Sequence, residues 1–65
     1  MGNYCENIRR LREAQGMSQG ELAERVLTTQ AMISKIEAGV KAPGVELFGR
    51  IADVFGCSMD ELKRG

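Results

Sequence analysis

Few side chains in this sequence could carry covalent chemistry, and their types narrow what the chain could be. There is no histidine, so the usual general base at neutral pH and the commonest metal ligand are both missing. The two cysteines, Cys5 and Cys57, lie far apart and form no Cys-x-x-Cys pair, so neither a zinc site nor a redox couple is read from them. They are read as reduced, small apolar residues. With no nucleophile beside a base and no glycine loop to cradle a phosphate, the chain is expected not to be an enzyme and to need no cofactor, metal or small-molecule ligand. What remains is recognition by hydrogen bonding and shape, and one stretch concentrates it. At 100° per residue, Gln30, Ala31, Ser34, Lys35 and Ala38 project onto one face of a helix about 140° wide. Every residue on that face is polar or small, so it can lie close against base edges.

The elements that hold this face must come from a small chain. Sixty-five residues make one domain, which buries only about 60% of the surface its unfolded form exposes. That leaves little room for an enclosed active site. Apolar residues at 43% and charged residues at 28% place the chain among globular domains, and no apolar run approaches the ~20 residues that span a bilayer. Met1 to Glu6 has neither a basic region nor an apolar stretch, so no signal peptide is visible and a cytoplasmic protein, without membrane contact, is expected. The formal net charge is zero, whereas nucleic-acid binders usually carry a basic excess. Segregated charges would remove the objection, and Arg9, Arg10 and Arg12 hint at segregation.

Helix starts and stops divide the chain into five helices with no strands, since no stretch alternates with period two. Helix 1 is expected over about Asn3 to Gln15, with Tyr4, Ile8 and Leu11 on its apolar face, Asn3 and Glu6 as a capping box, and Gly16 after its end. Ser18 and Glu21 form a second capping box, flanked by Met17 and Leu22 at the spacing of a hydrophobic staple, so helix 2 runs from about Gln19 to Val26. Thr29 is expected to cap helix 3, which turns Ile33 and Ile36 inward and stops near Gly39. Val45, Phe48, Ile51, Ala52 and Phe55 share one face of helix 4, and Ser58 with Glu61 opens a short fifth helix. Tyr4, Met17, Phe48, Phe55 and Met59 are all assigned to the core.

Only Leu27 to Thr29 separate helices 2 and 3, so the two must cross steeply, with a small residue where they touch. Ala23 supplies it, and Leu22, Val26, Ile33 and Ile36 lock the pair. Here the sequence resembles the repressor and Cro helix-turn-helix family of phages and bacteria. Residues 18–37 look like the family's helix-turn-helix motif. Ile8-Arg-Arg-Leu-Arg12 and Gly16-Met-Ser-Gln19 before it, and Ile51-Ala-Asp-Val-Phe-Gly56 and Ser58-Met-Asp-Glu-Leu62 after it, agree as well.

The resemblance implies one five-helix domain over residues 1–65, with a recognition helix at about 29–38 entering the major groove of double-stranded DNA. It implies a sequence-specific transcriptional regulator of repressor type, acting as a weak homodimer on a two-fold operator. Gln19 matches a glutamine that bonds a DNA phosphate and braces the first recognition residue. Gln30 matches that first residue, and its amide can bond adenine N6 and N7 together. Thr29 faces the backbone, Ala31 offers a methyl to a thymine methyl, and Ser34 and Lys35 lie one turn further on. Arg12 and Glu37 match an ion pair tying helix 1 to helix 3. Leu47 and Val54, with the corner from Cys57 to Met59, are the candidate dimer contact.

The sequence also departs from the family pattern. Leu27 stands where the family favours a glycine with positive φ, at a cost on the order of 1 kcal/mol. Ala38 replaces an asparagine that some relatives aim at phosphate. Gly44 and Gly49 occupy a usual cap serine and a usual large aliphatic position, and both weaken helix 4. A second reading keeps the fold but gives the face to a protein partner, as in an antitoxin-like or coactivator-like module. Neutral net charge and an exposed Ala31 and Met32 are its support. Salt separates the two, because phosphate contacts weaken steeply as salt rises.

Overall fold

The computed structural model describes residues 4–64. Five helices follow in order, α1 (Tyr4–Ala14), α2 (Gln19–Arg25), α3 (Gln30–Glu37), α4 (Val45–Phe55) and α5 (Met59–Lys63), and no described residue lies in a strand. The bounds match the sequence reading to within a residue or two. The cap assigned to Asn3 lies outside the described residues.

Local chemistry sets most of the helix ends. Ser18 and Ser58 each accept a hydrogen bond from the backbone of the glutamate three residues on, and each glutamate reaches back to the serine N–H. Both capping boxes are therefore closed. At α5 the bonds from Ser58 hold the Glu61 carboxylate below its usual pKa. Thr29 Oγ1 accepts from Met32 N at 3.2 Å, while Gly44 begins α4 with no side-chain cap.

At the other end, α1 to α4 stop alike. The residue after each last turn is left-handed, at Gly16, Leu27, Gly39 and Gly56, and the N–H beyond it reaches back to an orphan carbonyl. Met17 N bonds Arg12 O at 3.0 Å, Thr28 N bonds Ala23 O at 2.9 Å, Val40 N bonds Lys35 O at 2.9 Å and Cys57 N bonds Ala52 O at 3.0 Å. This is the Schellman closure. Leu27, at φ 61°, is the one place where a Cβ occupies that conformation. Its side chain is 77% exposed, so little burial offsets the strain. Leu27→Gly is expected to be neutral or to stabilise by up to about 1 kcal/mol, the gain in the turn exceeding the entropy that glycine adds to the unfolded chain. Thermal melting checks this, and a loss above about 1 kcal/mol would contradict it.

The core is Ile8, Met17, Leu22, Ala23, Val26, Ile33, Ile36, Phe48, Ile51, Ala52 and Leu62, drawn from all five helices and the α1–α2 turn. Around it Tyr4, Leu11, Met32 and Phe55 are half-buried, and the Tyr4 ring meets Phe48 edge to face at 5.7 Å. Three expectations need correction. Val45 is 79% exposed, because it is the first residue of α4 and overhangs the core at the rim of a shallow groove beside Tyr4, Pro43 and Phe48. Met59, likewise first in its helix, is 38% exposed and rests over bare Gly49, whose Cβ would lie 3.9 Å from the Met59 sulfur. Met32, expected to be exposed, packs its side chain against the core.

Two polar side chains close the fold over long sequence distances. Asn7 is buried and its amide donates to Leu62 O at 2.8 Å and to Arg64 O, while its oxygen accepts from Arg10 at 2.7 Å. Arg50 Nε donates to Val26 O at 2.8 Å. Each serves carbonyls at a helix C-terminus, where the helix itself offers no donor. Asn7 thereby ties α1 to the end of α5, and Arg50 ties α4 to the end of α2.

Candidate nucleic-acid interface

The α2–α3 corner is built on small and fully buried residues. Ala23 is buried, and Leu22, Val26, Ile33 and Ile36 have no exposed surface, so α3 is held by its inner side. Its outer side presents Gln30, Ala31, Ser34, Lys35 and Ala38, all exposed. A helix with side chains is about 10–12 Å across, which matches the ~12 Å width of the major groove of B-DNA. Thr29 also lies at this end of α3. Its oxygen is occupied by the Met32 N–H, which leaves the hydroxyl proton free to donate outward.

Gln30 is exposed and its carboxamide lies over Gly20. A Cβ built on Gly20 would stand 3.8 Å from Gln30 Oε1. The bracing ascribed to Gln19 takes a different form: the Gln19 amide donates to Glu37 Oε1 at 3.1 Å and does not bond Gln30. Glu37 in turn grips Arg12. Arg12 Nε and Nη2 meet its two oxygens at 2.7 and 3.1 Å, and Arg12 Nη1 donates to Met17 O at 2.7 Å. The side chains of Arg12 and Glu37 are only 10% and 4% exposed. Hydrogen bonding to Glu37 raises the Arg12 pKa despite the opposing effect of burial, so the guanidinium stays charged. One connected network thus joins α1, the α1–α2 turn, the start of α2 and the end of α3.

The charges are unevenly distributed along the chain. Between Val26 and Val45 the only charged residues are Lys35, Glu37 and Lys41, and Glu37 is consumed by the buried pair. The exposed charge of this segment is therefore wholly cationic. From Ile51 to Leu62 the only charges are Asp53, Asp60 and Glu61, all exposed. Sequence reasoning passed over Lys41 as loop. Its backbone N–H bonds Lys35 O at 3.3 Å, which places the two lysines together at the end of α3. Two lysines flanking a loop glycine were the only available signal. Arg9 and Arg10 are exposed on α1, and Arg10 is bonded to Asn7.

The residues proposed for a dimer contact do not converge. Leu47 and Val54 are half-buried on one flank of α4. Met59 rests on Gly49, which at 100° per residue lies about 160° around the helix from Leu47. Cys57 is half-buried in a third place, a cleft with Asn7, Arg10 and Glu61. Burial, then the Glu61 charge, pushes its thiol pKa up, so it stays protonated at neutral pH and is a poor nucleophile. Cys5 is likewise a free thiol. No group of three or more His, Cys, Asp or Glu residues among the described residues is placed to hold a metal, and no helix is long and apolar enough to cross a membrane.

Five helices without strands among the described residues, a short α2–α3 turn and an outward polar α3 define a helix-turn-helix domain of the repressor type. The helix-turn-helix family model matches residues 8–62, and the chain belongs to that family. A crystal structure of the P22 c2 repressor bound to a synthetic operator superposes with a TM-score of 0.94 at 26% identity, covering 100% of this chain and 98% of that one. An HTH-type transcriptional activator, BcrR, of Enterococcus faecalis is 33% identical over 62 residues, 95% of this chain and 30% of that protein. An uncharacterized HTH-type transcriptional regulator, y4dL, of Sinorhizobium fredii is 47% identical over 52 residues, 80% of this chain and 25% of that protein. The chain thus spans less than a third of the length of these curated relatives.

Proposed function

We propose that the chain is the DNA-binding domain of a transcriptional regulator, with residues 18–37 as its helix-turn-helix and residues 29–38 laid into the major groove of double-stranded DNA. The observation that carries this is the α3 face, uniformly small or polar and exposed, in a segment whose two exposed charges, Lys35 and Lys41, are both positive. Gln30 and Ala31 meet base edges at the start of the helix, Ser34 follows, and Thr29 and Gln19 meet the backbone. Nothing in this reading asks the domain to catalyse a reaction. Of the supports for a protein-binding face, the exposed Ala31 stands, the half-buried Met32 packs against the core, and the neutral total charge is offset by the two lysines of the α3 segment.

Lys35 tests the electrostatic part. If its ammonium neutralises a phosphate, Lys35→Ala lowers the slope of log affinity against log salt by about one unit and weakens binding alike on all sequences. An unchanged slope with altered base preference would instead make Lys35 a base-reading residue. The measurement is fluorescence anisotropy on labelled duplexes over a series of salt concentrations.

On a two-fold operator the domain acts as a pair, with recognition helices about 34 Å apart and half-sites one turn of DNA apart. Because Leu47 and Val54 stand apart from Met59, any self-contact of this domain is small and weak. Sedimentation is expected to show monomers free in solution and two copies on a palindromic duplex. One copy on that duplex at saturating protein would contradict the paired arrangement.

A further inference from the structure

The Arg12 and Glu37 pair accounts for the packing of α1 against α3, but not for the third partner of the carboxylate. Glu37 Oε1 accepts from both Arg12 Nη2 and Gln19 Nε2, each at 3.1 Å. A carboxylate only accepts, so the Gln19 amide must turn its NH2 edge to Glu37. The Glu37 side chain is 4% exposed, and its two contacts with Arg12 fix its own orientation. It is a rigid acceptor. Gln19 begins α2 with its side chain half-buried, and a glutamine free in water would sample several rotamers and both faces of its amide.

We propose that Glu37 is a positioning residue for DNA, holding the Gln19 amide so that its second N–H points outward to a backbone phosphate. This deepens the reading of the α3 side as a DNA interface and rests on it. Arg12 locks Glu37, Glu37 locks Gln19, and Gln19 meets the phosphate without reordering on binding, which is where preorganisation adds affinity. Because Gln19 is neutral, losing its contact lowers affinity without changing the salt slope, unlike loss of a lysine contact.

The test has one arm without DNA and one with it. In the free protein, the side-chain amide protons of Gln19, assigned by comparison with Gln19→Ala, are expected to be dispersed and slow to exchange by NMR. They should revert to the behaviour of a free glutamine in Glu37→Gln. In the binding arm, Glu37→Gln weakens binding about tenfold in the wild-type background with an unchanged salt slope, and has no further effect when Gln19 is already alanine. An equal loss in both backgrounds would make Glu37 merely structural and overturn the proposal. So would free-glutamine behaviour of Gln19 in the wild type, a result that stands whether or not Glu37→Gln folds. Wild type that binds no duplex at any salt, yet shows an ordered Gln19 amide, overturns the DNA reading itself, and the two failures are thereby told apart.

Discussion

Glu37→Ala is expected to destabilise the domain by about 3 kcal/mol, because removing one member of a buried pair strands the other. Arg12 would keep Met17 O at 2.7 Å, with only a 3.9 Å contact to exposed Glu13 as its remaining ion pair. At roughly 0.05–0.15 kcal/mol per residue, a domain of 65 residues has only several kcal/mol of stability in total. Such a loss removes a large part of it and lowers the melting temperature by more than 10 °C or so. A double-mutant cycle with Arg12→Ala should show coupling above about 1 kcal/mol, beyond the range of exposed pairs. Replacing both residues with apolar ones of similar size should recover much of the loss, since the packed shape survives while the stranded charge does not. Single substitutions that cost a few tenths of a kcal/mol and show no coupling would mean that the pair is in practice solvated.

The parts of this account that were legible in the sequence are those whose causes are local. Ser18 with Glu21, Ser58 with Glu61, Thr29, and the stops at Gly16, Gly39 and Gly56 each depend on residues a few positions away, and all lie where they were expected. The left-handed Leu27 was legible only through the family pattern, since nothing in its own chemistry favours φ 61°. Asn7 and Arg50 were missed because a polar residue on an amphipathic helix reads as surface. Their partners, the carbonyls of Leu62 and Val26, are helix ends brought near only by the tertiary fold. Val45 and Met59 were misplaced for the converse reason. Periodicity counts an apolar residue toward a face, but the first residue of a helix can stand beyond the core which that face covers. The Gln19 contact was half legible: its place at the start of α2 could be read, but its bond to Glu37 could not.

Gln30→Ala should have the largest effect on recognition. Gln30 begins α3 with its side chain exposed and its carboxamide resting over Gly20, so removing it costs no core contact and the fold should be unchanged. A bidentate amide contact to one base pair discriminates by about 1–3 kcal/mol. Gln30→Ala is therefore expected to weaken binding to the preferred duplex by that amount and to relax the choice of base at a single position. Gln19→Ala, by contrast, should weaken all duplexes alike. The most direct test is to select the preferred duplex from random DNA and measure anisotropy on it and on a scrambled duplex of equal length, with wild type and Gln30→Ala at several salt concentrations. The account predicts that wild type prefers the selected duplex at every salt concentration and that Gln30→Ala loses about tenfold or more of that preference. Equal binding of both duplexes by wild type, with no change in Gln30→Ala, would contradict sequence reading by the α3 face.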